Sequence, residues 1–172
     1  MRALWALLLA APFAAAAAPD VVQRPDVKVG DRWTYQRMDY DAGKAISTYE
    51  IQVVFADRGV IQVVGARQGV DEEVDGTYTL DWNAINTLNR LFDPHTGWFR
   101  FPLRVGDTYS AAYETMVTKK GKMKSHNERR VTVTGWEEVV VPVGKFRALK
   151  IVSDGRFKRL DAPGAGTSRN VI

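Results

Sequence analysis

The sequence predicts an all-β, mainly antiparallel domain: a strongly curved sheet or partly open β-barrel with at most one short helix. Apolar, β-branched and aromatic residues alternate with polar ones along most of the chain, short Gly- and Asp-containing segments punctuate the runs, and one turn-plus-strand signature occurs twice.

The first 18 residues stand apart from this pattern. Met1-Arg2 gives a short positive start, Ala3 to Ala11 an apolar run, and Pro12 leads to the alanines Ala14 to Ala18. That is the layout of a secretory leader, with cleavage expected near residues 16–18. Pro19 is unfavourable just after a cut, which favours Ala16 or Ala17. The apolar run is well short of the roughly 20 residues a spanning helix needs. No cysteine is present to carry a lipid, and no later stretch is apolar enough to span a bilayer. The expected product is a single β-rich domain over residues 19–172, periplasmic or secreted.

Losing Arg2 with the leader leaves 23 basic residues against 20 acidic ones. That mild excess permits attraction to anionic lipids or polysaccharides but lacks the dense basic face of a nucleic-acid binder. With no cysteine, disulfides, catalytic thiols and thiolate metal sites are excluded.

Trp33-Thr34-Tyr35-Gln36 opens the first strand, Tyr49 to Phe55 forms the next, and Val60 to Val64 follows the turn Asp57-Arg58-Gly59. Asp41-Ala42-Gly43-Lys44 is a further turn, since Gly and Asp tolerate the positive-φ positions of short hairpins. Ile85, Leu88 and Phe92 stand at helical spacing behind a possible Asp81 cap, whereas Asn83, Asn86, Thr87 and Asn89 are weak helix formers. Residues 80–92 therefore fit either a short helix or strands. Asp93 to Gly97 breaks the chain before Trp98-Phe99-Arg100-Phe101, which reads as a short strand. Thr115 to Thr118, Arg130 to Thr134, Glu138 to Val141 and Phe146 to Val152 complete an antiparallel meander, and Pro163 to Ser168 reads as a flexible loop.

Lys28-Val29-Gly30-Asp31-Arg32-Trp33 and Arg104-Val105-Gly106-Asp107-Thr108-Tyr109 match as basic-Val-Gly-Asp-x-aromatic, 76 residues apart. A duplicated ligand loop and a strand-entry turn used twice both fit. Turn geometry favours the second, because Gly and Asp are what it requires. The echo predicts two comparable β halves.

The Val-Gly-Asp-x-Trp-x-Tyr segment near the mature start, with Gly135-Trp136-Glu137-Glu138-Val139-Val140-Val141-Pro142-Val143-Gly144-Lys145-Phe146-Arg147-Ala148 near the end, resembles exported bacterial domains of unknown function marked by a V-P-x-G-x-F-x-A turn. Those domains are similar in outline to half-open barrels of the Lol lipoprotein-carrier kind. The resemblance implies a final aromatic hairpin beyond Asn170-Val171-Ile172, hence a chain lacking that hairpin and carrying an open sheet edge.

Candidate chemistry is sparse. His95 and His126 lack the spaced partners of a zinc site, and Asp71-Glu72-Glu73-Val74-Asp75-Gly76 lacks the alternating ligands and distal Glu of a calcium loop. There is no Gly-x-Ser-x-Gly, no Ser-x-x-Lys and no phosphate loop. The expectation is a non-enzyme without cofactor or metal; a hydrolase acting through unrecognised carboxylates is a remote alternative.

Two surfaces are candidates for binding. Lys119, Lys120, Lys122 and Lys124, with Arg129-Arg130 close behind, would form a basic hairpin tip. Trp33, Tyr35, Phe99, Phe101 and Tyr109 would line the cavity of a half-open barrel or fill its core. The leading expectation is a binding or carrier-like module for lipid or another amphipathic molecule. The second is an envelope assembly module acting on protein partners through a sheet edge.

Overall fold

The structure, a computed structural model, describes residues 21–39, 42–69, 73–119, 123–141 and 144–172. The expected leader, Asp41, Asp71 and Glu72, Lys120 and Lys122, and Pro142-Val143 lie outside them. The fold is all-β. Ten strands follow one another in space in chain order: β1 (Arg32–Asp39), β2 (Lys44–Asp57), β3 (Val60–Arg67), β4 (Glu73–Thr79), β5 (Ala84–Thr87), β6 (Arg90–Asp93), β7 (Thr108–Val117), β8 (Lys124–Val141), β9 (Gly144–Arg159) and β10 (Ala165–Val171). Every pairing is antiparallel, and the sheet curls into a half-barrel with β1 and β10 as its two edges. Among the described residues there is no helix, and so none long and apolar enough to cross a membrane.

Two sets of inward-facing side chains make the core. Ile51, Val53, Ile61 and Val63 form the first, and Leu103, Val131, Val133 and Ile151 the second. The repeated signature builds each in the same way. Gly30 N–H donates to the Val53 carbonyl (2.9 Å) and Val53 N–H to the Asp31 carbonyl (2.9 Å), while the Asp31 carboxylate accepts from Lys28 N–H (2.9 Å). In the second half Gly106 N–H donates to Val133 (2.8 Å), Val133 N–H to Asp107 (2.9 Å), and the Asp107 carboxylate accepts from Arg104 N–H (2.7 Å). Gly30 and Gly106 take φ of 96° and 94°, a region closed to most side chains. The equivalence extends across three strands. Trp33 pairs with Ile51 and Ile51 with Gly65; Tyr109 pairs with Val131 and Val131 with Ser153. A register shift follows Val53 and Val133 alike. The echo is a strand-entry turn used twice.

The structure decides one segment that the sequence leaves open and departs from the sequence reading in others. Residues 80–92 form β5 and β6 rather than a helix. Leu88 turns the chain with φ of 49° and donates to the Asp75 carbonyl (3.0 Å), and the Asn89 carbonyl accepts from Thr118 (2.8 Å), so the weak helix formers bond across strands. Trp98 to Phe101 is not a strand, because side chains take its polar groups, as described below. The Gly-rich tail is not a loop beyond Gly164: Gly166 pairs with Phe157, whose ring lies where a Cβ would stand 2.7 Å from it, so glycine admits the ring and β10 forms. Sequence reading also split β8 in two, whereas one strand runs through the irregularity at Gly135.

If the two turns are equivalent, Asp31→Ala and Asp107→Ala should each lower the unfolding free energy by about 1 kcal/mol, with additive effects in the double variant. Urea denaturation of the mature protein checks this.

Candidate functional site

Period-two alternation assigns each strand residue to a face, and the inner face carries Trp33, Tyr35, Tyr78, Tyr109 and Tyr113. Trp33 on β1 meets Trp82 edge-on at 5.2 Å, and Trp82 meets Tyr78 in the same way at 5.2 Å; all three pack on the first core cluster. Tyr35, two residues beyond Trp33 and opposite Tyr49, is 48 % exposed. Desolvation raises the phenol pKa of Tyr35, and burial followed by the proximity of Tyr35 raises that of Tyr78. Phe99 and Phe101 stack at 6.0 Å on the second cluster, beside Tyr109. The five aromatic residues singled out by sequence thus divide, with Trp33 in one cluster, Phe99, Phe101 and Tyr109 in the other, and Tyr35 exposed beyond the first.

Phe99 and Phe101 lie on the segment joining β6 to β7. Buried Asn83 clamps this segment: its Nδ2 donates to the Phe99 carbonyl and its Oδ1 accepts from Phe99 N–H, both at 2.8 Å. Thr96 closes the other end, donating from its backbone to the Ala84 carbonyl and accepting from Ala84 N–H through Oγ1, both at 3.0 Å. The Tyr109 hydroxyl takes the Trp98 carbonyl at 2.7 Å. Gly97 faces Ala111 so closely that a Cβ would sit 2.3 Å from the alanine methyl. The segment therefore rests directly on β7 and brings Trp98 over the inner face.

Beneath Trp98 lies a group that sequence reading assigned elsewhere. Its basic neighbours in sequence place Arg129 with the basic hairpin, yet its side chain is turned inward. Its guanidinium stands 4.0 Å from the Trp98 ring centre and 5.0 Å from that of Tyr113, and Nη2 donates to the Tyr113 hydroxyl. Its Nε and Nη1 are buried without a hydrogen-bond partner among the described residues. The signal was present in the sequence: Arg129 is in phase with Val131 and Val133, so alternation alone turns it toward the core. Next to it Asn127 Nδ2 reaches Thr115 Oγ1 (3.0 Å) and Ser125 Oγ (3.2 Å), giving the inner face a neutral polar layer.

The outer face is charged. Lys124 pairs with Glu114 (2.8 Å), Arg156 with Glu128 (2.6 Å), and Arg169 with Asp154 (3.7 Å). An open groove of about 890 Å³ crosses β7 to β10 there, walled by Arg130, Asp154 and Arg169 on one side and Glu128 and Arg156 on the other. Of the predicted basic tip, Lys119 is exposed and Lys124 belongs to this ladder. His95 Nδ1 accepts from Gly97 N–H (3.1 Å), and His126 lies 3.6 Å from Glu128. Among the described residues no three His, Asp or Glu side chains converge on a common point that could hold a metal ion.

A comparison with known protein families, with curated proteins and with solved structures finds no match to this chain.

Asn83→Ala should cost about 3 kcal/mol, because it strands the buried N–H and carbonyl of Phe99; a lowered melting temperature, with Trp98 fluorescence shifted toward that of exposed indole, is the expected observation. On the outer face, hydrogen bonds from Arg156 and Lys124 hold the Glu128 and Glu114 carboxyls below the usual 4.5. A depressed folded value gives stability that is present above 4.5 and lost as pH falls through the lower folded value. Stability measured from pH 6 down to pH 3 should fall less steeply in Glu114→Gln/Glu128→Gln than in the parent.

Proposed function

We propose that this protein is an exported binding or carrier-like module that holds an apolar or amphipathic molecule against the inner face of its half-barrel, outside the cytoplasm, without catalysis. The observation that carries this reading is the set of aromatic rings, from strands and from the segments packed on them, gathered over one face of a sheet that curls without joining its edges. Trp33, Tyr35, Tyr78 and Trp82 at one end, and Trp98, Phe99, Phe101 and Tyr109 at the other, offer ring faces and edges suited to an alkyl chain or ring system. Tyr35 supports it most directly, since it is half exposed yet partly desolvated by its neighbours. The leader-like first 18 residues support export, and the resemblance to half-open carrier barrels agrees with the ligand class.

A second reading, an assembly module acting on envelope proteins, is favoured by one feature. Beyond the irregularity at Gly135 the β8–β9 hairpin runs on to Val141 and Gly144, with Val140 67 % and Phe146 52 % exposed. Exposed apolar residues on a two-stranded hairpin suit a protein contact.

Native mass spectrometry with lipid analysis, on mature protein purified gently from an envelope fraction, separates the two. The ligand reading predicts a stoichiometric amphiphile whose occupancy drops in Tyr35→Ala, a variant that leaves both core clusters intact. A ligand-free monomer would overturn it, and a ligand-free oligomer that dissociates in Phe146→Ser would establish the second reading.

A further inference from the structure

Resting on that reading, we infer that the inner face takes a single-chain amphiphile with a monoanionic carboxylate head, and that Arg129 is the residue that pairs with it. The first ground is charge. On β6 to β10, up to the irregularity at Gly135, alternation and register put every carboxylate on the outer face: Asp93 pairs with Glu114, and Glu128 and Asp154 share their side. The inner face there holds Arg90, Arg129 and Arg159, and Arg159 is satisfied by Asp161 through two bonds of 3.1 Å. Arg129 is flanked in register by Ala111 and Gly155, which have nothing to offer a cation. A partly buried charge without a counter-charge is costly, and among the described residues these strands supply none on the inner face.

The second ground is geometry. Trp98 and Tyr113 stack against the guanidinium, and ring contacts of this kind satisfy a cation's faces while leaving its N–H groups, which lie in its plane, unanswered. Among the described residues only Nη2 has a partner. An acceptor approaching in the guanidinium plane completes the site, and a planar carboxylate matches that edge. One guanidinium balances one negative charge, which selects a carboxylate over a phosphate monoester carrying nearly two. The neutral layer of Asn127, Thr115 and Ser125, together with Ser153, adds no competing charge. The rings of Trp98, Phe99 and Phe101 then receive the chain. An acceptor bound at the edge of the guanidinium changes the surroundings of the Trp98 indole stacked on its face, so indole fluorescence reports occupancy.

The test compares oleate, oleyl alcohol and dodecyl phosphate binding to the mature protein, its Arg129→Lys variant and its Arg129→Met variant. Arg129→Met removes a buried charge for a side chain of similar length and is expected to fold at least as stably as the parent. The parent should bind oleate at least about tenfold more tightly than the alcohol, a difference of about 1.4 kcal/mol. Arg129→Lys should retain part of that preference, and Arg129→Met should lose it while still binding the alcohol. Should Arg129→Met fail to fold, the parent alone decides: its oleate preference should vanish as pH falls below about 4, where the ligand is protonated. Equal affinity for oleate and alcohol, preference surviving in Arg129→Met, or tighter binding of dodecyl phosphate overturns this assignment and leaves the general ligand reading standing. Failure of all three probes to bind overturns both.

Discussion

A buried backbone amide must find a partner, and in a sheet of strongly bent strands the bend is where ladder pairing fails. Val53 and Val133 sit at these points, fully buried, each just before a register shift in its own strand. Their outward neighbours leave the regular ladder, and the Gly-Asp turns take over, giving a donor and an acceptor to each valine. The rest of the sheet depends on this. The turn fixes where β1 and β7 begin, the start fixes which residues face inward, and Trp33 and Tyr109 thereby fall opposite Ile51 and Val131. A second use of the same device makes one sheet with two cores, joined by the short strands β5 and β6.

Much of this was legible in the sequence because alternation and turn chemistry are local. The meander, the hairpin at Asp57-Arg58-Gly59 and the duplicated entry all follow from adjacent residues. The failures occurred where distant side chains decide. Nothing near Trp98 announces that Asn83, 16 residues earlier, takes its neighbour's backbone bonds. Gly166 reads as loop until Phe157 is placed above it. Residues 80–92 carry helical spacing, but their tertiary partners are strands. For the site, the aromatic residues were visible as a group though not as two clusters. Arg129 was read with its basic neighbours, although its phase with Val131 and Val133 already pointed inward.

The two faces of the sheet are electrostatically unlike. On the outer face, cross-strand pairs neutralise one another in a solvated ladder, an arrangement that adds solubility and little stability. On the inner face the Arg129 guanidinium is held, among the described residues, by two rings and the Tyr113 hydroxyl. Charged groups are retained inside proteins at a cost, and this one keeps two buried nitrogens without a partner among the described residues. The clamp at Asn83 fixes the segment that carries Trp98, Phe99 and Phe101, and so sets the Trp98 ring over Arg129.

If a ligand is held on the inner face, the indole N–H resonances of the mature protein should register it. Trp33, Trp82 and Trp98 report on that face, and Trp136 on the hairpin beyond it. On titration with oleate the account predicts saturable shifts at Trp98 and at Trp33 or Trp82, with Trp136 unmoved. Shifts confined to Trp136, or saturable binding that moves none of the inner-face indoles, would contradict it.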